Sequence, residues 1–144
     1  MNVLVLNGPN LNMLGLREED IYGSDSLKDI ENRLAIIAER NNCKIDFYQS
    51  NAEHELIDVI QNSLNKKVDA IIFNPAGYTH TSVALRDALL AVKIPFFEVH
   101  ISDVESREDF RKKSYFSDIA EQVFSGHGVK GYELALNEAL NVNR

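Results

Sequence analysis

Glu98 and His100 lie two residues apart in Ile94–Ile101, an apolar run with the composition of a buried β-strand. Side chains two apart on a strand point to the same face, so the carboxylate can orient the imidazole. An oriented imidazole is suited to general acid or base catalysis near neutral pH. A surface ion pair and a metal site shared with His80 are the alternatives, although no further ligand has a convincing spacing.

Arg17 and Tyr22 lie in a long segment, Leu11–Asp25, between the first predicted strand and the first predicted helix. Connections in compact domains have a median length of about 4–6 residues. A longer connection beside a strand end is typical of a lid over a ligand site. The alternative is a solvated loop that happens to contain a tyrosine and an arginine.

Two further patterns are weaker. Arg107 and Arg111 are four apart on a predicted helical stretch, which indicates either a solvated basic face or a pair that recognises an anion. The run from Gly126 to Gly131 matches G-x-G-x-x-G, but no βαβ unit or acidic residue about 20 positions on follows it. We therefore interpret these glycines as a tight strand-to-helix turn.

Five short apolar runs bounded by turn residues predict strands. They are Met1–Leu6, Lys44–Tyr48, Val68–Phe73, Ile94–Ile101 and Gln122–Phe124. Apolar residues at spacings of three and four predict helices between them. These residues are Leu27, Ile30, Leu34 and Ile37, then Leu56, Ile60 and Leu64, then Leu85, Leu89 and Val92, and finally Ala135, Ala139 and Val142.

This alternation predicts an α/β fold: a flavodoxin-like three-layer sandwich with a five-stranded parallel sheet and helices on both faces, as one domain over residues 1–144. Such folds bind ligands beyond the carboxyl ends of their strands. The segments expected there contain nearly every neutral polar residue of chemical interest and three of the four histidines. They are Asn7–Asn10, Gln49–Asn51, Asn74–His80, His100–Asp103 and Gly126–Gly128.

Composition excludes several classes of protein. The 15 Lys and Arg against 22 Asp and Glu give a net charge of −7, without a basic stripe for nucleic acid. No apolar run approaches the roughly 18–20 residues of a membrane span. The single cysteine cannot form an internal disulfide or a cysteine-based zinc site. The amino-terminal residues lack the features of a signal peptide, so we expect a cytoplasmic protein.

The ordered motifs resemble those of the type II 3-dehydroquinate dehydratases over nearly the whole chain. The matching runs are Asn7-Gly-Pro-Asn10-Leu-Asn, Leu14-Gly-Leu-Arg17-Glu, Ile21-Tyr22-Gly23, Gln49-Ser-Asn51, Phe73-Asn-Pro-Ala-Gly-Tyr-Thr-His80-Thr-Ser82, Glu98-Val-His100-Ile-Ser102, Arg107-Glu-Asp-Phe-Arg111, Ser114-Tyr115 and Gly126-x-Gly128-x-x-Gly131-Tyr132. One small departure is His127, where the family pattern leads us to expect an apolar residue.

The resemblance implies the third step of the shikimate pathway, in which 3-dehydroquinate loses water to give 3-dehydroshikimate. In that family the reaction is an anti elimination through an enolate, without a Schiff base, a metal or another cofactor. The substrate is a small anion, and the enzymes assemble as homododecamers built from four trimers.

The resemblance also implies catalytic roles. Tyr22 would be the base, and Arg17 the cation that favours its phenolate, because an opposite charge stabilises an anion. His100 would protonate the departing hydroxyl, with Glu98 as its orienting partner. Asn10 would hold the enolate oxygen through a water molecule.

Binding roles follow from the same resemblance. Asn74 and the backbone N–H groups of Ile101 and Ser102 would surround the substrate carboxylate. His80 and Arg111 would hold ring hydroxyls. Asp87 would reach the site of a neighbouring subunit, and Arg107 is left as a support for the lid.

Two other classes of protein remain as alternatives. A flavodoxin-like module that binds FMN or another nucleotide needs a phosphate-cradling loop after the first strand, but Gly8–Asn12 contains neither Ser or Thr nor a glycine cluster. A receiver-type signalling domain needs acidic residues after the first and middle strands, where this chain has Asn7 and Asn74.

Overall fold

The chain forms one five-stranded sheet in which every neighbouring pair of strands is parallel. The computed structural model describes residues 1–16 and 18–142. The strand order is β2-β1-β3-β4-β5. The strands are β1 (Asn2–Asn7), β2 (Lys44–Gln49), β3 (Ala70–Asn74), β4 (Phe96–His100) and β5 (Gln122–Ser125). This is the flavodoxin-like α/β architecture that the sequence predicts.

The part of the chain that is described contains five α-helices, of which the first four lie in the connections between strands and the last follows β5. They are α1 (Glu19–Tyr22), α2 (Leu27–Arg40), α3 (Glu53–Asn62), α4 (Val83–Val92) and α5 (Lys130–Val142). Ser26 and Asp29 form the predicted cap of α2: Ser26 Oγ accepts from the Asp29 N–H, and the Asp29 carboxylate accepts from the Ser26 N–H. These bonds satisfy backbone donors that the first helical turn leaves unpaired.

The central strands β1, β3 and β4 are buried on both faces of the sheet because alternate side chains of a strand enter opposite hydrophobic clusters. On β1, Val3 and Val5 join the cluster beneath α2 and α5, whereas Leu4 and Leu6 join the cluster beneath α3 and α4. Each fully buried side chain of this kind stabilises the fold by about 1.5–3 kcal/mol. The sheet is therefore a firm base for the loops at its carboxyl edge.

Two helices end differently from the predictions. Helix α3 ends at Asn62, and Leu64, predicted on its buried face, is 57% exposed. The chain turns there, and the Val68 N–H closes the turn by donating to the Ser63 carbonyl oxygen. Val142, predicted on the buried face of α5, is exposed in the last turn of that helix. At helix ends the spacing of apolar residues does not determine burial.

The predicted helical stretch around Arg107 and Arg111 is wrong. Two 3₁₀ turns, Val104–Ser106 and Asp109–Arg111, replace it, and Arg107 lies between them in an extended conformation. The Asp103 carboxylate and the Ser106 hydroxyl bond to nearby backbone groups. Such bonds compete with α-helical bonding, and the two arginines do not share one helix face.

Within residues 1–16 and 18–142, no helix has the length and apolar character required to cross a membrane.

Candidate active site

A cavity of about 150 Å³ opens at the carboxyl edge of the sheet. The ends of β1, β3 and β4 are in register there, through the pairing of Asn7 with Asn74 and of Phe73 with Glu98. Eight residues with a predicted site role line the cavity: Asn10, Tyr22, Asn74, His80, His100, Ile101, Ser102 and Arg111. The topology thus brings together residues from five separate segments of the sequence.

Glu98 and His100 form the pair expected from their spacing on β4. Both are buried, and Glu98 Oε2 bonds to His100 Nε2. Burial acts most strongly on Glu98 and opposes its ionisation. The bond to His100, the attraction of its charge and the hydroxyls of Ser117 and Ser114 outweigh burial, so the pKa of Glu98 is lowered. Glu98 is therefore a carboxylate near neutral pH.

This pairing defines the chemistry that His100 can perform. A carboxylate only accepts hydrogen bonds, so Nε2 of His100 carries a proton. Its other ring nitrogen, Nδ1, is then the position at which a proton can be gained or lost. Because His100 lines the cavity, this arrangement is suited to proton transfer to or from a bound molecule.

Two serines outside the predicted site also bind the Glu98 carboxylate, one at each oxygen. Ser114 Oγ donates to Oε2 at 2.8 Å, and Ser117 Oγ donates to Oε1 at 2.8 Å. Sequence reasoning missed both serines as partners of Glu98, because their contact is formed across loops and has no spacing signature. They fix the carboxylate that in turn fixes the imidazole.

The Tyr22 hydroxyl accepts a hydrogen bond from an arginine, which is Arg107. One Arg107 guanidinium nitrogen donates to Tyr22 Oη at 2.8 Å and to Ser102 Oγ at 3.3 Å. The same guanidinium lies 5.5 Å from the centre of the Tyr22 ring. Arg17, the cation that the family resemblance places here, lies outside the described residues. Sequence analysis had given Arg107 no contact with the predicted base.

His80 lies at the cavity wall with its ring orientation fixed. Its Nδ1 is 2.7 Å from the Lys113 carbonyl oxygen, which only accepts, so Nδ1 carries the proton. Burial lowers the pKa of His80, and the charges of His100 and Arg111 act in the same direction, against the bond to Lys113. A neutral His80 presents Nε2 as an acceptor, which suits a ligand hydroxyl.

The loop after β1 places Asn10 at the rim of the cavity. Asn10 has the left-handed backbone conformation (φ 70°), which asparagine tolerates better than most residues. Its N–H donates to Asn51 Oδ1 at 3.0 Å. Gln49 supports the same loop from β2, since its Nε2 donates to the Gly8 carbonyl oxygen at 3.1 Å.

Gly8 allows this loop to approach the loop after β3. Its N–H donates to the Asn74 carbonyl oxygen at 2.8 Å. A Cβ atom at position 8 would lie 2.4 Å from the Pro75 carbonyl oxygen, which is a steric clash. The absence of a side chain therefore sets the distance between two walls of the cavity.

The glycine run between β5 and α5 forms a turn, as the sequence predicts. This turn supports the opposite wall of the cavity. Gly126 and Gly128 both have positive φ, at 80° and 61°. Their N–H groups donate to the carbonyl oxygens of Ser102 and Ile101, at 3.2 and 3.1 Å. These bonds hold the backbone of residues 101–102 beside His100.

Two predicted residues that the structure describes, Glu98 and Asp87, do not line the cavity. Glu98 lies behind His100, and Asp87 lies on the exposed surface of α4. Arg111 lines the cavity, and its Nε donates to both Glu108 carboxylate oxygens at 3.2 Å.

Among the residues that the structure describes, no group of three or more His, Cys, Asp or Glu is arranged to hold a metal ion.

The chain is similar to a well-defined set of known proteins. The sequence profile of the family described as Dehydroquinase class II matches residues 1–140. A relative from Methylococcus capsulatus, named 3-dehydroquinate dehydratase, is 61% identical over 140 residues, covering 97% of this chain and 95% of the relative. One of the same name from Idiomarina loihiensis is 59% identical over 138 residues, covering 96% of this chain and 91% of the relative.

Solved structures of type II dehydroquinases are also similar to this chain. A type II dehydroquinase from Butyrivibrio crossotus superposes with a TM-score of 0.95 at 43% identity, covering 98% of this chain and 97% of that chain. Another, from Propionibacterium acnes, superposes with a TM-score of 0.92 at 36% identity, covering 97% of this chain and 96% of that chain.

Proposed function

We propose, from the premise that this chain belongs to the class II dehydroquinase family, that it converts 3-dehydroquinate to 3-dehydroshikimate with loss of water. Membership of this family makes the protein an enzyme, a hydro-lyase. The proposal extends to anti elimination through an enolate, to the third step of the shikimate pathway and to a cytoplasmic location.

The reaction needs a base and an acid at one substrate. The C–H bond beside the ketone breaks, its proton moves to the base, and its electron pair forms the enolate. The enolate then forms the ring double bond and expels the hydroxyl group from the carbon that bears the carboxylate. A proton from the acid converts the departing hydroxyl into water.

Tyr22 is the base in this scheme, and its contact with Arg107 supports the assignment. A phenol in water has a pKa of about 10, so a phenolate near neutral pH requires stabilisation. The guanidinium that donates to Tyr22 Oη is permanently charged and interacts more favourably with the anion than with the neutral phenol. Arg107 therefore takes on an activating role, and Arg17, outside the described residues, remains the second candidate for it.

His100 is the acid, and Nδ1 is the atom that gives up the proton. Glu98 holds the ring through its bond to Nε2, and it keeps the proton on Nε2 throughout. After turnover, His100 has lost a proton and Tyr22 has gained one. Exchange with water restores both.

The cavity walls supply the binding groups of the proposal. Asn74 and the backbone N–H groups of Ile101 and Ser102 would hold the carboxylate, and His80 and Arg111 the ring hydroxyls. Asn10 would hold the enolate oxygen through a water molecule. All six residues line the same cavity, and the acceptor nitrogen of a neutral His80 matches a hydroxyl proton.

Assembly into a homo-oligomer, a dodecamer of four trimers, belongs to the same proposal. Val83, Asp87 and Leu90 follow each other at helical spacing on α4, and both apolar residues are about half exposed. We assign a contact with another subunit to this partly apolar, exposed face of α4. Asp87, which does not line the cavity of its own chain, would serve the site of a neighbour.

The observation that carries the proposal is the presence of Tyr22, with Arg107 on its hydroxyl, and His100, with Glu98 on its ring, in one cavity. The test is to add 3-dehydroquinate to purified protein without metal or cofactor and to follow the ultraviolet absorbance of the conjugated enone product. We expect turnover that persists in EDTA and in borohydride. Absence of enone formation would refute the function, and inactivation by borohydride would indicate a Schiff-base lysine instead.

A further inference from the structure

Tyr132 lies in the first turns of α5 and is fully buried, yet its hydroxyl group is hydrogen-bonded to two residues at the edge of the sheet. The hydroxyl donates to Asn7 Oδ1 at 2.6 Å and accepts from Asn74 Nδ2 at 2.9 Å. Asn7 ends β1 and Asn74 ends β3, and the two are partners in the sheet register. Tyr132 therefore connects the helix layer to a residue of the cavity wall.

These bonds determine which way the Asn74 amide faces. Its oxygen accepts from the Ala76 N–H at 3.1 Å, and its nitrogen donates to Tyr132. If the amide turned by 180°, its nitrogen would oppose the Ala76 N–H, with two donors in contact. Its oxygen would meet a hydroxyl whose proton is already committed to Asn7.

The orientation leaves one amide N–H of Asn74 for a ligand. An amide nitrogen has two N–H groups, and Tyr132 takes only one of them. Among the described residues, none accepts a hydrogen bond from the second N–H group of this amide, and Asn74 lines the cavity. A donor at this position suits an anionic ligand group.

We propose that Tyr132 is a positioning residue that holds Asn74 as a hydrogen-bond donor towards the carboxylate of the substrate. The inference rests on the proposed function, since it concerns the affinity for that substrate. Tyr132 touches no reacting atom in this scheme. It acts through Asn74, so substrate binding depends on a hydroxyl buried behind the cavity wall.

The burial of Tyr132 supports a constant role. Burial raises the pKa of this tyrosine strongly, against the weaker opposing effect of the Asn74 bond. The hydroxyl thus keeps its proton at neutral pH. The bond to Asn7, which aims the hydroxyl lone pair at Asn74, does not depend on the ionisation of the tyrosine there.

The first test is the variant Tyr132→Phe, assayed with 3-dehydroquinate. We expect KM to rise about tenfold, as for the loss of one hydrogen bond to a charged group, while kcat changes less than about threefold. The control is Leu136→Val, a buried position on the same helix that has no polar contact. Leu136→Val should lower Tm, as we also expect for Tyr132→Phe, but it should leave KM unchanged.

A double-mutant cycle separates positioning from general destabilisation. If Tyr132 acts through Asn74, then Tyr132→Phe in an Asn74→Ala background should add less than about twofold to KM. Multiplying effects would overturn the inference. Should Tyr132→Phe not fold, Asn7→Ala replaces it: the Tyr132 proton can then turn to Asn74, and KM should rise in the same way.

A crystal structure of Tyr132→Phe, or of Asn7→Ala, decides the positioning independently of turnover. We expect the Asn74 amide to shift from its wild-type position or to lose its order, because the bond to Tyr132 is lost and only the Ala76 N–H still orients the amide. An unchanged Asn74 overturns the inference whether or not the enzyme is active. Wild-type protein without turnover refutes the proposed function alone, whereas normal turnover with an unchanged KM in Tyr132→Phe refutes only the role of Tyr132.

Discussion

The Arg107 guanidinium donates to the Tyr22 hydroxyl at 2.8 Å, although 85 positions separate the two residues in the sequence. Tyr22 ends the short helix α1, and Arg107 lies between two 3₁₀ turns after β4. The contact closes one side of the cavity and also places a fixed positive charge on the proposed base. Closure and activation are therefore linked in one hydrogen bond.

Tyr22→Phe removes the proposed base and leaves the ring in place. We expect kcat to fall by about 10²–10⁴-fold, the usual contribution of a positioned acid or base, while KM changes by less than about fivefold. Steady-state assays of enone formation measure both constants. Tyr48→Phe is the matched control, because its hydroxyl bonds to Glu55 outside the cavity. Near-normal turnover by Tyr22→Phe would refute the assignment.

Arg107→Gln removes the positive charge from the Tyr22 hydroxyl and keeps a polar side chain. We expect kcat to fall by about 10²-fold while KM changes by less than about fivefold, because the variant removes the positive charge that favours the anion of the proposed base.

Arg40→Gln, on the exposed end of α2, is the control for loss of one arginine. It should leave kcat and KM of the enzyme unchanged. A near-normal kcat in Arg107→Gln would refute the activating role of this guanidinium.

Glu98→Gln tests the buried carboxylate through stability. The pKa of Glu98 is lowered in the folded protein, so its ionised form contributes stability above the ordinary value near 4.5. That contribution is lost as the pH falls through the folded pKa. We expect the free energy of unfolding of Glu98→Gln to be about 1–3 kcal/mol lower than that of the wild type at pH 7. This deficit in stability should shrink below about pH 4.5.

Urea unfolding of both proteins across this pH range measures the deficit. Glu39→Gln, an exposed carboxylate on α2, is the comparison and should cost less than about 0.5 kcal/mol at pH 7. A deficit for Glu98→Gln that grew towards acid pH would contradict the direction of the pKa shift.

Leu90→Arg tests the proposed assembly surface on α4. A charged side chain among Val83, Asp87 and Leu90 should disrupt an apolar contact between subunits and reduce the particle size. Size-exclusion chromatography with light scattering gives the mass of the assembly. Leu90→Met keeps the apolar character and should preserve the mass. Equal masses for Leu90→Arg and wild type would exclude this face of α4 from the interface.

Much of the architecture could be predicted from the sequence because it depends on local patterns. The apolar run around Val3 and Val5 and the cap formed by Ser26 and Asp29 each have a short-range cause, burial in one case and backbone bonding in the other. The parallel pairing of the first four strands agrees with the helices that connect them. The rule that ligands bind beyond the strand ends then located the cavity.

The details of the site depend on contacts between distant segments, and no local pattern records them. Arg107 was expected on a helix with Arg111, but side-chain bonds from Asp103 and Ser106 break that segment into turns. The same turns carry Arg107 to Tyr22. Ser117 and Tyr132 reach Glu98 and Asn74 from separate loops and helices, and only the folded chain reveals those partners.

The clash that any Cβ atom at position 8 would make with Pro75 has a practical consequence. Redesign of the specificity of this enzyme should leave Gly8 untouched and vary the residues on either side of it. Even an alanine there would widen the gap between the loops that carry Asn10 and Asn74. In a library that randomises the whole loop after β1, most variants would therefore carry a side chain at position 8 and would fail to assemble the pocket.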